Sequence, residues 1–165
     1  MPAQDASPKA RKSLQYFYQL GMLHVVQALA GRLIVPPAVV HELAVGRAQG
    51  VSLPDPTVLE WITVRPPAST AVLPLVMDLG PGETEVLALA LESPDAMVIL
   101  DDALARQMAT TLAIRFRGSL GLLLDAKQAG LVAAITPLLD QLQALGFHLS
   151  AETRQLILDL ASESL

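Results

Sequence analysis

The amino-acid sequence predicts an α/β fold, a three-layer sandwich in which a short central parallel sheet is flanked by helices. Short aliphatic runs, such as residues 33–35 and 98–100, alternate with stretches of helical periodicity. This alternation is typical of a parallel sheet that is covered on both faces. Of the 165 residues, 52% are hydrophobic but only 4% are aromatic, so we expect one domain with an aliphatic core.

Residues 1–13 are predicted to form a mobile tail, followed by a single domain over residues 14–165. The tail is small and polar, with basic residues near its end. In residues 14–30 the apolar positions recur at helical spacing, but Gly21 interrupts them. We therefore expect two short helices that meet at residues 20–22.

A buried strand is predicted at residues 33–35, where three aliphatic residues precede Pro36 and Pro37. Proline suits the first turn of a helix, because its missing N–H needs no partner there. The sequence therefore predicts a helix over residues 37–45, with Gly46 as its stop.

The next segment has weaker signals. Residues 46–56 are typical of a loop, and residues 61–64 alternate well enough for a strand. Residues 72–79 are predicted to form a short helix or irregular cover.

A helix is predicted to begin near Gly82, because the glycines and proline of residues 80–82 interrupt any preceding element. Glu83 and Glu85 lie in its first turn, where negative charge interacts favourably with the helix dipole. Glu83 shares a face with the apolar positions that follow, and Glu85 points elsewhere. The alternative is that both acids have no role beyond this interaction with the helix dipole.

The strand predicted at residues 98–100 ends in two acids, Asp101 and Asp102. Ligands of parallel sheets bind beyond the carboxyl ends of the strands, so these carboxylates are candidates for a cation site. The alternative is a turn in which one of them caps the next helix.

The remaining residues predict alternating helices and one strand. Ser150 is the expected N-cap of the last helix. The predicted elements are helix 103–111, strand 112–116 and helices 119–129, 135–145 and 150–162.

Composition excludes several classes of protein. Without cysteine there is no disulfide and no thiolate metal site. No segment approaches the roughly 20 apolar residues of a membrane span, and the first residues lack the apolar run of a secretory signal. We therefore expect a soluble, cytoplasmic protein. The net charge of −5 argues against broad coating of nucleic acid.

Four segments share one pattern of motifs, and they are residues 34–43, 79–86, 100–106 and 117–127. Together they resemble the PIN-like family of bacterial proteins, and residues 137–140 and 146–150 fit as well. Members resemble PIN-domain ribonucleases, often the toxins of toxin–antitoxin pairs, which cut RNA with Mg²⁺ or Mn²⁺ held by acids.

The resemblance implies that Glu42, Glu83, Asp101 and Asp102 are the catalytic and metal-binding acids, with Glu85 as the rival of Glu83. Hard divalent cations prefer such oxygen ligands, and a cation among clustered acids relieves their repulsion. By default Glu42 would be a solvated helix residue. Ser119 stands where the family more often has threonine.

The N-terminus departs from the family pattern. The family begins with a buried strand that ends in Asp-Thr-Ser-Pro, directly before the segment equivalent to residues 14–21. Here residues 5–8 are Asp-Ala-Ser-Pro, but residues 9–13 intervene and only four residues precede Asp5. The first strand is therefore predicted to be degenerate or missing, and Asp5 is the candidate for the first metal-binding aspartate.

The basic residues Arg106, Arg115, Arg117 and Lys127 are candidates for binding RNA phosphates, although each could be an ordinary surface charge. The resemblance further implies an RNA substrate, a small antitoxin partner and a homodimer. The alternative is a catalytically impaired PIN-like protein that acts as a binding partner or regulatory module.

Overall fold

The structure, a computed structural model, describes residues 11–69 and 79–163. Helices and short strands alternate along these residues, which confirms the predicted α/β class. The elements in chain order are α1 Lys12–Gln19, α2 Leu23–Ala30, β1 Leu33–Val35, α3 Pro37–Ala48, a 3-10 turn Pro56–Val58, β2 Ile62–Val64, α4 Pro81–Glu92, β3 Met97–Ile99, α5 Ala103–Thr111, β4 Arg115–Arg117, α6 Ser119–Gln128, α7 Thr136–Ala144 and α8 Ala151–Leu160.

The strands form two parallel pairs within the described residues. β1 pairs with β2, in the register Leu33 to Ile62, and β3 pairs with β4, in the register Met97 to Arg115. No backbone pairing joins the two pairs in the described part of the chain. Within the described residues, the expected parallel sheet is therefore present as these two pairs.

α3 is longer than predicted, because Gly46 does not end it. A Cβ atom at Gly46 would collide with the Arg11 guanidinium and with Leu53. This glycine therefore permits close packing inside the helix. The helix ends at Ala48, and Gly50 follows with a positive φ of 87°.

The last strand lies at Arg115–Arg117, not at the predicted residues 112–116. Ala113 has a φ of 57°, and the N–H of Ile114 donates to the carbonyl of Ala109 at 2.8 Å. The residues after α5 therefore close the helix end before the chain can extend.

Other boundaries shift by one or two residues. The strand predicted at 98–100 is β3, and Leu100 still donates to the carbonyl of Arg117. Ser150 caps α8 by accepting from the N–H of Thr153 at 3.1 Å, as predicted. The cover predicted at 72–79 lies outside the described residues, except for Leu79.

The core is aliphatic, as predicted, and falls into three clusters. One joins α1, α2, α6, α7 and α8 around Phe17, one joins α4 and α5 with β3 around Leu87, and one joins β1 with α3 around Leu43. Arg11 and Ser13, which the sequence assigned to the tail, are buried at the start of α1. Among the described residues, none of the helices has the length and hydropathy of a membrane span.

Candidate functional site

Glu42 lies on α3 and faces the start of α4. Its Oε2 is buried and accepts no hydrogen bond from any described residue. Burial, followed by repulsion from Glu83, raises the pKa of Glu42 to about 7, and Glu85 contributes in the same direction. The Gly82 N–H and the charge of Arg11 act in the opposite direction, but they do not offset this effect.

Glu83 is almost fully buried, at 1% exposure, in the first turn of α4. A Cβ atom at Gly80 would lie 2.8 Å from Glu83 Oε2, so the carboxylate folds back toward the amino end of its own helix. The helix dipole favours a negative charge there. Glu83 lies close enough to Glu42 to repel its charge, and the role of the two acids as metal ligands stays a prediction.

Glu85 holds two helices together. Its Oε2 accepts a hydrogen bond from the Ala38 N–H at 2.8 Å. That donor belongs to the first turn of α3, where backbone N–H groups have no partner within the helix. Of the two rival acids, Glu85 has this bond between helices, and Glu83 lies deeper beside Glu42.

Arg11 is a buried cation next to Glu42. Its Nη1 donates to the backbone carbonyl of Glu42 at 2.8 Å, and the opposite charge of Glu42 tends to raise the pKa of Arg11. Burial is the larger cause, so the pKa of Arg11 is lowered from its ordinary value. Sequence reasoning missed this residue.

Asp101 lies beyond the carboxyl end of β3 and accepts three hydrogen bonds. Its Oδ1 accepts from the Ser119 N–H at 2.8 Å, and its Oδ2 accepts from the hydroxyls of Ser119 and Ser13, at 2.6 and 2.7 Å. Ser119 is fully buried at the start of α6. These donors hold the carboxylate at the ends of β3 and β4, where parallel sheets present ligand groups.

Asp102 is the N-cap of α5. Its Oδ2 accepts from the Ala105 N–H at 3.0 Å, which is the capping role considered for one member of this pair. The adjacent acids therefore have different surroundings, and Asp101 accepts hydrogen bonds from residues distant in the chain.

The four basic candidates all have contacts within the protein. Arg106 Nε donates to the Leu100 carbonyl at 2.9 Å, and its guanidinium lies over the Phe116 ring, 5.5 Å from the centroid. The other contacts are Arg115 with the Asp95 carbonyl, Arg117 with both oxygens of Asp125, and Lys127 with the Ala161 carbonyl and with Glu163.

Of these cations, Arg106 borders Asp101. A Cβ atom at Gly118 would collide with the Arg106 guanidinium and would lie 3.1 Å from Asp101 Oδ1. Glycine at this position therefore leaves room for a cation and a carboxylate at the start of α6.

The acids form two groups. Glu42, Glu83 and Glu85 surround the contact of α3 with α4, and Asp101 lies among Ser13, Ser119 and Arg106. The first turn of α1 touches both groups, through Arg11 and Ser13. In the described part of the chain, no three or more acids, histidines or cysteines are placed to hold one metal ion. Asp5 lies outside the described residues.

The position of Arg11 and Ser13 in the sequence could have identified them. They stand directly before Leu14, where the resembling family has its Asp-Thr-Ser-Pro. Their polar character suggested a tail, but their place in the order of motifs indicated the site.

Comparisons with known proteins gave one match. The sequence profile of a family described as a PIN domain matches residues 5–163. Comparisons with curated proteins and with solved structures gave no match.

Proposed function

The chain belongs to the PIN domain family, and from this membership we propose that it is a metal-dependent endoribonuclease that hydrolyses RNA phosphodiesters. A role as the toxin of a toxin–antitoxin pair is part of the proposal, as are a small antitoxin partner, a homodimer and a cytoplasmic location. The family membership supports the nuclease-like fold.

The observation that carries the proposal is the carboxylate pair Glu42 and Glu83. A half-buried acid and a buried acid side by side repel each other, and a bound cation relieves that repulsion. One oxygen of Glu42 has no hydrogen bond from any described residue and is therefore available as a ligand. Mg²⁺ usually takes only one or two carboxylates and keeps several waters, so the pair fits Mg²⁺ or Mn²⁺.

Glu42 and Glu83 would hold this metal, with Asp101 and Asp102 as the further predicted acids. The metal, when bound, would supply an activated water and stabilise the charge that develops on the phosphate. Ser119 and Ser13 fix the orientation of Asp101 by hydrogen bonds. Arg106, beside Asp101, would place an RNA phosphate. The roles of Glu85, Asp5, Arg115, Arg117 and Lys127 stay predictions.

Calorimetric titration with Mn²⁺ at pH 8 tests the metal site. We expect the parent protein to bind Mn²⁺ and Glu42→Gln to bind at least tenfold more weakly, since a ligand charge is lost. Glu60→Gln is the matched control, because it removes the same charge from an exposed side chain. The same titration with Asp101→Asn asks whether the second acid group contributes.

Cleavage of a fluorescent single-stranded RNA in the presence of Mn²⁺ tests the activity. We expect at least a hundredfold loss of rate in Glu42→Gln and little change in Glu60→Gln. If the parent protein gives no heat with Mn²⁺ and no cleavage, the nuclease proposal fails.

Two observations favour a second function, that of a catalytically impaired PIN domain that binds a partner. The described residues bring no three metal-ligating side chains together, and the Arg11 guanidinium already places a positive charge beside Glu42. In that case, Arg11→Met should leave the protein unable to bind Mn²⁺, as the parent would be. If Arg11 only competes with a metal, the substitution should strengthen Mn²⁺ binding.

A further inference from the structure

The side chain of Tyr16, on α1, lies near Asp101. Ser13, three residues earlier on the same side of the helix, donates to Asp101 at 2.7 Å. Burial raises the pKa of Tyr16, and the negative charge of Asp101 raises it further. The Tyr16 hydroxyl therefore stays protonated at neutral pH and can donate a hydrogen bond beside Asp101.

This hydroxyl has no hydrogen-bond partner among the described residues, although Tyr16 is only 8% exposed. Asp101 already accepts from the hydroxyls of Ser13 and Ser119 and from the Ser119 N–H. A buried tyrosine hydroxyl usually has a partner, because an unpaired polar group inside a protein costs free energy. The donor of Tyr16 is therefore available to a ligand that approaches Asp101.

Contacts on both the ring and its neighbours fix the position of Tyr16. Its ring meets the Phe147 ring edge to face, with centroids 5.2 Å apart and planes at 74°. Lys12 Nζ lies over the Tyr16 ring, 5.9 Å from the centroid, where a cation is attracted by the ring electrons. The hydroxyl cannot turn elsewhere without the loss of these contacts.

The charges around this hydroxyl suit an anion. Lys12 is half-buried and forms no ion pair with any described residue. Arg106 borders Asp101 at the start of α6, whereas the three other basic candidates are engaged by other groups. A phosphate beside Asp101 needs such cations, because the carboxylate alone would repel it.

We propose that the Tyr16 hydroxyl and the Lys12 ammonium group bind one phosphate of the RNA substrate beside Asp101, together with Arg106. A phosphate oxygen accepts the hydrogen bond of Tyr16, and the two cations offset the negative charges of the phosphate and of Asp101. The identity of the anion as RNA rests on the proposed function. Tyr16 and Lys12 add to the residues that the sequence offered for substrate binding.

Fluorescence anisotropy of a labelled single-stranded RNA, titrated with the full-length protein in Ca²⁺ and again in EDTA, tests the contact of Tyr16. We expect Tyr16→Phe to raise the Kd at least tenfold, because a hydrogen bond to a charged group is lost while the ring remains. Tyr18→Phe is the matched control, since it removes a hydroxyl from a 39% exposed side chain of the same helix. It should change the Kd less than twofold.

The salt dependence of the same Kd tests the contact of Lys12. Lys12→Gln removes a charge, so we expect the slope of log Kd against log salt to fall by about 0.7, the value for one phosphate contact in a single strand. Tyr16→Phe removes no charge and should leave the slope unchanged. Arg32→Gln, at an exposed position before β1, should leave it unchanged as well.

Equal binding by Tyr16→Phe and Tyr18→Phe would overturn the proposal, as would an unchanged slope in Lys12→Gln or the absence of RNA binding by the parent in both buffers. The nuclease proposal fails separately. If the parent cleaves RNA and Tyr16→Phe binds as tightly as the parent, the phosphate site is wrong and the nuclease stands. If Tyr16→Phe and Lys12→Gln behave as expected but the parent cleaves nothing with Mn²⁺, the phosphate site stands without the nuclease.

Discussion

Glu42 combines a half-buried carboxyl group with acidic neighbours on the adjoining helix. Its pKa of about 7 is above the ordinary value of a glutamate, so the folded protein binds a proton that the unfolded chain has already lost. Between about pH 4.5 and pH 7 this difference favours the unfolded state increasingly as the pH rises.

We therefore expect Glu42→Gln to be less sensitive to pH than the parent protein. The free energy of unfolding of the parent should fall by about 1–2 kcal/mol between pH 5 and pH 8, after allowance for solvent screening. The variant should show little of this fall. Urea unfolding at four pH values measures both curves, and parallel curves would contradict the assigned pKa.

At the residue scale, the sequence offered the acids as candidates, but it gave no information about their surroundings. That Glu83 and Glu42 belong to one site was an expectation from the family resemblance. Asp101 accepts hydrogen bonds from Ser13 and Ser119, which are 88 and 18 residues away in the chain. Asp102 caps α5. Local pattern contains no information about such partners, and the polar Arg11 and Ser13 therefore resembled a tail.

At the scale of elements, the amino end of α7 is capped from a distant part of the chain. Glu163 accepts hydrogen bonds from the N–H groups of Ile135 and Thr136, at 2.8 and 3.0 Å, and pairs with Lys127. Burial tends to raise the pKa of Glu163, but these bonds outweigh it and lower the pKa to about 2.

Replacing Glu163 should therefore destabilise the protein. We expect Glu163→Gln to lower the free energy of unfolding at pH 7 by about 1–2 kcal/mol, as for loss of a helix cap. Because the pKa is lowered, the stabilisation is present above about pH 4.5 and is lost as the pH falls through 2. Urea unfolding measures the difference, with Glu60→Gln as the control. Equal stability of the two variants at pH 7 would refute the capping role.

Helix positions were predictable from spacing, and the errors have tertiary causes. Gly46 was expected to stop α3, but it lies inside the helix because Arg11 and Leu53 pack against it. The strand after α5 was placed too early, since Ala113 adopts a left-handed conformation that few alanines show. In both cases the contact or the backbone angle that decides the outcome is not visible in hydrophobic periodicity.

At the scale of the whole molecule, the largest core cluster is built by helices from both ends of the chain. Phe17 of α1 and Leu139 of α7 belong to it, and both are almost fully buried. The described domain should therefore unfold as one cooperative unit, in which the terminal helices do not separate first.

A core truncation tests this cooperativity. We expect Leu139→Ala to lower the free energy of unfolding by about 2–5 kcal/mol, with coincident transitions by circular dichroism and by Trp61 fluorescence. Leu156→Ala, at a position that is 56% exposed, should cost less than about 1 kcal/mol. Separate transitions in the two signals would show that the terminal helices unfold independently.

The first turn of α1 connects the two groups of carboxylates. Arg11 donates to the backbone carbonyl of Glu42 in α3, and Ser13, two residues later, donates to Asp101 beyond β3. A shift of that single turn would withdraw a positive charge from one acid and a hydroxyl donor from the other at the same moment. The two groups of acids share no carboxylate, but they would then change together, because the same few residues of α1 contact both.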